Sequence, residues 1–178
     1  MSAEFFETTG IDLADLLIWT KIIACEKQDI ELDVYVSANI CEDMKQLDIS
    51  GGEIKRLLDD LLCNAMHAVS GLRNRMILLL IARVESDCIV LKIYDSGSPF
   101  PPYVLKQILA YSGTPERVGD GLTDLMNTLC RVHASLEIDM GLDPTDIYTK
   151  GIYISFDGKG SVRVTNEISI RGEVTDEV

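Results

Sequence analysis

The chain has 178 residues, 47% of them hydrophobic, and a formal net charge of -13; that is enough apolar material for one well-packed core and too little length for a second full domain. So acidic a surface repels a phosphate backbone, which excludes nucleic acid and anionic membrane as expected partners. The five cysteines, Cys25, Cys41, Cys63, Cys88 and Cys130, are odd in number, widely spaced and in three cases set in apolar runs, so reduced, buried thiols of a cytoplasmic protein are expected, not a disulfide framework or a metal knuckle.

Residues 1–10 carry no periodicity. From Ile11 to Lys27, Leu13, Leu16, Leu17, Ile18, Ile22 and Ile23 recur at helical steps, with Thr9 or Asp12 as the cap. That helix is apolar enough to pack on the rest of the domain or on another subunit. Ile30, Leu32, Val34 and Val36 alternate with Glu31, Asp33 and Tyr35, the pattern of a half-buried strand. Ser50 followed by Glu53 is a capping box, and it opens a helix reaching Ser70 whose Ile54, Leu57, Leu58, Leu61, Leu62, Ala65, Ala68 and Val69 form one wide core face. Met76 to Val84 and Cys88 to Tyr94 predict an antiparallel hairpin, ended by Asp95-Ser96-Gly97-Ser98-Pro99, which cannot continue a ladder. Helices are predicted from Pro102 to Ala110 and from Gly121 to His133, and strands over Ser135–Met140, Gly151–Phe156 and Ser161–Thr165, with Gly141 to Lys150 as a connection. The divisions are a lead-in with one helix (1–28), a domain (29–166) and an acidic tail (167–178). No leader pattern opens the chain and no apolar run approaches membrane-spanning length, so a soluble chain without direct membrane contact is expected. Helices segregated from mostly antiparallel strands predict an α+β fold: a two-layer sandwich, with a mixed sheet on about three helices and a cleft between the layers.

Three stretches carry unusual chemistry. Asp60, Asn64 and His67 stand at i, i+4 and i+7 on the long helix, in a polar stripe beside its core face. A mid-helix Asn costs about half a kcal/mol relative to Ala, and an amide oxygen can take one corner of a magnesium octahedron completed by phosphates and water. Asp95 ends a buried strand, where it either accepts from the exocyclic amine of a base, with Gly97 admitting the ring, or starts an Asx turn with Gly97 at positive φ. Gly119-Asp120-Gly121-Leu122 opens a helix, whose free amides and dipole make a phosphate seat.

In this order the three stretches resemble the ATP-binding domain of the GHKL superfamily (the Bergerat fold of gyrase, heat-shock-90, histidine-kinase and mismatch-repair ATPases). Asp60-Leu61-Leu62-Cys63-Asn64-Ala65 is similar to the N box, Asp95-Ser96-Gly97 to the first glycine box, and Gly119-Asp120-Gly121-Leu122 to the second. Asp95 to Pro102, Ala134-Ser135-Leu136 and the Ile152-Tyr153-Ile154 strand look most like sensor histidine kinases of Gram-positive type. The resemblance implies ATP and Mg2+ as cofactors, with Asn64 as metal ligand and Asp95 as reader of the adenine amine. It implies phosphate contacts from Gly119, Gly121 and Leu122, and a lid over Ser112–Val118 that includes Ser112 and Thr114. Asp60 would orient the nucleophile against the γ-phosphate, and His67 would assist near the phosphates. Asp12 to Lys27 is similar to the end of a dimerisation helix, implying a homodimer. The departures are Pro99 and Thr123 at positions where the family carries glycine, and the charge of Asp120. Neither His67 nor His133, the two histidines, resembles a phosphoacceptor, so the expected acceptor is a histidine outside this chain, with a response regulator beyond it. The alternatives are a degenerate nucleotide- or partner-binding module without phosphotransfer, and an anti-sigma-type serine kinase, whose N box carries an acid as Asp60 does.

Overall fold

The computed structural model describes residues 8–37, 39–84, 88–110, 120–140 and 147–166. Among them are the strands β1 (Glu31–Val36), β2 (Met76–Val84), β3 (Cys88–Asp95), β4 (Ser135–Met140), β5 (Lys150–Ser155) and β6 (Val162–Asn166). The helices are α1 (Asp12–Lys27), α2 (Cys41–Gln46), α3 (Gly51–Val69), α4 (Pro102–Leu109) and α5 (Asp120–Arg131). The strands form one mixed sheet in the order β1-β2-β3-β5-β4-β6, antiparallel in the middle, with β1 on β2 and β6 on β4 parallel at the two edges. The fold is α+β, as the segregation of helices and strands predicts.

Register explains how the sheet makes a core. Ile81, Leu91, Ile154 and Leu136 stand side by side across four strands, as do Leu79, Ile93, Ile152 and Ile138. Onto these rows α3 lays Ile54, Leu57, Leu58, Leu61, Leu62, Ala65 and Val69, all buried. Leu58 and Leu62 have no exposed surface, and each such burial contributes about 1.5–3 kcal/mol. The capping box closes as predicted: Ser50 Oγ accepts from Glu53 N at 3.2 Å, and Glu53 Oε2 accepts from Ser50 N at 2.9 Å. The next register row is Ile77, Asp95, Lys150 and Met140. Two charged residues thus occupy a row that continues the core.

Several expectations need correction. No helix was predicted between Val36 and Ser50, where α2 lies with Met44 as its buried side chain. Neither Thr9 nor Asp12 caps α1; Ile11 occupies that position without a side-chain bond, while Thr9 Oγ1 donates to Asp15 Oδ1 at 2.8 Å and accepts from Ile11 N at 3.2 Å. The helix α5 stops at Arg131, and His133 turns the chain with φ 52°. Lys150 belongs to β5, not to the preceding connection. Of the cysteines only Cys25 is buried; Cys130 is exposed and the others are intermediate, although all five are free thiols. The helix α1 packs on α3 and β1 through Ala14, Leu17, Ile18 and Cys25, leaving Leu13, Leu16, Trp19 and Ile23 exposed. No described helix is long and apolar enough to cross a membrane.

Candidate functional site

Asp95 is the last residue of β3 and, by the alternation of that strand, faces the helices. It is buried, and Oδ1 accepts from Gly97 N at 2.8 Å and lies 3.2 Å from Lys150 Nζ. Lys150, directly opposite on β5, is also buried; its ammonium donates to Ser98 O and lies 4.9 Å from the Phe100 ring centre. Burial pushes the Asp95 carboxyl above its ordinary value, and the Lys150 charge and the Gly97 amide only partly oppose it.

The turn after Asp95 is held from three sides. Ser96 N donates to Met76 O at 3.0 Å, Ser96 Oγ accepts from Met76 N at 3.0 Å and donates to Asn74 O at 2.9 Å. Thr149 N donates to Asp95 O at 2.9 Å, and Thr149 Oγ1 donates to Gly97 O. The third side is α3: a Cβ on Gly97 would stand 2.6 Å from Ala68 Cβ and 2.7 Å from Ala68 O. The Asx-type bond is therefore present, but Gly97 is not among the glycines with positive φ. Its requirement is the close approach of the helix.

At the other end, α3 supplies Asp60, Asn64 and His67. Asn64 and His67 are exposed and Asp60 is half-buried. Burial raises the Asp60 pKa, and the negative charges of Asp59 and Asp124 add to it against the pull of Arg56 and Lys21. Behind this stripe Lys21 Nζ reaches Asp59 Oδ1 at 2.6 Å and Cys63 Sγ at 2.9 Å. The hydrogen bond from Lys21 depresses the Asp59 pKa despite burial. Burial works against the Lys21 ammonium, yet its bonds to Asp59 and Cys63 leave it above its ordinary value. The helix α5 runs beside this end, with Asp124 Oδ2 3.8 Å from Arg56 Nη1.

Between the two ends lies a cleft of about 720 Å³. Asp60, Asn64 and His67 line it from α3, Asp95 and Lys150 from the sheet, Pro99 and Phe100 from the turn, and Leu125 from α5. Four predicted site residues, Asp60, Asn64, His67 and Asp95, therefore share one cavity. Gly97 does not line it, but supports Asp95 from behind. Gly121 and Leu122 fall in the first turn of α5. Ser112, Thr114, Gly119 and the expected lid lie outside the described residues. The donor set suits magnesium only in company: among the described residues no cluster of three His, Cys, Asp or Glu could hold a metal, whereas magnesium bound with a nucleotide keeps phosphate and water ligands and asks for one or two protein oxygens. Lys150 is the residue that reading the sequence missed. Its signal was parity, since Lys150, Ile152 and Ile154 alternate onto the same buried side.

No family model and no curated protein matches the sequence. Solved structures do match in fold. The catalytic domain of histidine kinase ThkA aligns over 85% of this chain and 94% of its own, at 13% identity and a TM-score of 0.56. A mycobacterial sensor histidine kinase, MprB, aligns over 81% of this chain and 91% of its own, at 18% identity and a TM-score of 0.54. The histidine kinase domain of a blue-light activated kinase from Erythrobacter litoralis aligns over 87% and 64%, at 13% identity and a TM-score of 0.55. Identities this low establish a common fold, that of histidine kinase catalytic domains.

Proposed function

We propose that the chain is the ATP-binding catalytic domain of a sensor histidine kinase, passing the γ-phosphoryl group of ATP to a histidine outside this chain, in the same or a partner kinase, and onward to a response regulator. The observation that carries the reading is the single cleft lined by Asp95 at the end of β3 and by Asp60, Asn64 and His67 on α3. In it Asp95 accepts from the base, held in place by Gly97, and the start of α5 at Gly121 and Leu122 faces the phosphates with its amides. Asn64 is the residue to hold magnesium, whose bound charge neutralises the phosphates. Asp60 orients the attacking group, and His67 donates to a phosphate oxygen. Catalysis of this kind is mostly positioning. Gly119, Ser112 and Thr114 complete the phosphate end in this reading, and α1 offers its exposed apolar side to a second subunit of a cytoplasmic dimer. The carboxylate at Asp60 favours one second reading, a serine kinase in which that acid activates a hydroxyl.

The test is direct. Magnesium and ATP at millimolar concentration should raise the melting temperature by mass action, and labelled ATP with a separate dimerisation segment should give an acid-labile phosphoryl group on histidine. Acid-stable label on serine would select the second reading. No thermal shift would remove both.

A further inference from the structure

The face of the sheet turned away from the helices and their core carries chemistry that the nucleotide cleft does not use. One register row on it runs Asp33, Leu78, Tyr94, Gly151 and Asp139, from β1 through β2, β3 and β5 to β4. Because Gly151 has no side chain, the Tyr94 ring lies over its backbone: a Cβ there would stand 2.5 Å from Tyr94 Cε1. Beside it is the ring of Tyr148, with centres 6.0 Å apart and planes inclined at 43°. Leu78 and both tyrosines are half-buried, and Tyr35, in the next row of the same face, is 58% exposed. Carboxylates flank the aromatic pair. Burial, then the charges of Asp33 and Glu31, hold the Tyr148 hydroxyl above its ordinary pKa, and burial, then Asp139 and Glu137, do the same to Tyr94. Among the described residues none of these four acids has an ion-pair partner.

Two rings with unpaired carboxylates on either side are complementary to a cation, which the π faces and the acids attract together. The same face shows the mode once already: Lys92 Nζ lies 4.7 Å from the centre of the Tyr153 ring, its partner across β3 and β5. That commits Lys92 to Tyr153, and the other cation of the face, Arg163, stands opposite Glu137 at the β6 edge without closing an ion pair. Among the described residues no cation lies over Tyr94 or Tyr148. We propose that this face docks a polypeptide segment bearing arginine or lysine, one of whose side chains lies on the Tyr94–Tyr148 pair between Asp33 and Asp139. Arginine is the better fit, since its planar, weakly hydrated guanidinium stacks on aromatic rings. Charge decides against two other occupants. A second copy would set the same four carboxylates against their own kind, and residues 167–178 hold four acids and one arginine, so both are repelled where a basic partner is drawn in.

The experiment is a titration of the full chain, at physiological salt, with an acetylated and amidated Gly-Arg-Gly-Arg-Gly-Arg peptide, followed in nitrogen–proton correlation spectra. Shifts are expected to gather on Leu78, Tyr94, Gly151 and their neighbours in the row; shifts spread over α1 and α3, or none at millimolar peptide, overturn the proposal. The Tyr148→Leu variant keeps an apolar side chain without the π face and should weaken binding by about threefold; unchanged affinity overturns the aromatic contact. The near-isosteric pair Asp33→Asn with Asp139→Asn should weaken it by about fivefold. Removing the same charge from α1, behind the sheet, by Asp12→Asn with Glu26→Gln should change it by less than about twofold, because solvent and salt screen that distance. Equal weakening by the two charge pairs means attraction to net charge alone and overturns the site. Should Tyr148→Leu fail to fold, the two charge pairs decide. Sedimentation of the unaltered chain as a dimer that Asp33→Asn with Asp139→Asn tightens would give the face to a second copy and also overturn the proposal.

Discussion

At one end of the cleft, Asp95 and Lys150 are 6% and 5% exposed and are tied to each other and to backbone groups of the turn. At the other, Asn64 and His67 stand exposed on α3 and Asp60 is only half covered. The first end is part of the core row that runs Ile77, Asp95, Lys150, Met140; the second is a stripe on a helix whose stability comes from the core face beside it. A substitution at the ends of β3 and β5 must therefore disturb the packing and the cleft together. One on the helix stripe can change the ligand alone.

The largest effect is expected from Asp95→Ala, which leaves the Lys150 ammonium buried without its counter-charge. Breaking a buried pair in this way costs about 3–5 kcal/mol, measurable by urea denaturation, and adding Lys150→Met should recover most of it. A loss below about 1 kcal/mol would show that Lys150 reaches solvent and that the two ends are built alike. Next comes Gly97→Ala, which drives a methyl group into Ala68 at 2.6 Å and should cost about 1–3 kcal/mol by overpacking; an unchanged melting temperature would mean that α3 and the turn separate freely. On the stripe, Asn64→Ala should alter stability by no more than about 0.5 kcal/mol while lowering magnesium-dependent ATP affinity by about tenfold or more. Unaltered affinity would remove the metal assignment.

The smallest effect concerns pH. Burial, then the charges of Asp59 and Asp124, raise the Asp60 pKa, and the role proposed for it, orienting the nucleophile, requires it ionised. Transfer should therefore fail on acidification at a pH above the ordinary Asp range. The Asp124→Asn variant removes one like charge and releases Arg56, its partner at 3.8 Å, so both changes lower the Asp60 pKa and extend activity toward acid. A pH profile identical to that of the unaltered protein would detach Asp60 from the chemistry.

Those features whose cause is local were legible in the sequence. The core face of α3, its capping box and the β2–β3 hairpin follow from spacing within a few residues. The short helix α2 was not legible, because Cys41–Gln46 buries one side chain and has no repeat to read. The end of α5 was overrun because apolar spacing continues to Val132, while the chain turns at His133, whose carbonyl accepts from Gly160 N at 2.9 Å. That partner is remote in sequence. Lys150 had a local signal in its parity with Ile152 and Ile154, but its partner Asp95, opposite it across β3 and β5, is remote in sequence. The cysteines were misjudged because a neighbouring apolar run does not say which way each thiol points. Sequence thus located the acid, the amide and the imidazole of the cleft, but not the cation that completes it.

The Lys21 contacts carry a mechanical consequence. Asp59 and Cys63, which it grips at 2.6 and 2.9 Å, each come one residue before Asp60 and Asn64. Torque applied to α1 therefore arrives at the two backbone steps that aim the acid and the amide, through an ammonium clamp only 13% exposed on its lysine side. Sliding the N-terminal helix by a turn would require that clamp to open, so the aim of those side chains and the seating of α1 are set jointly.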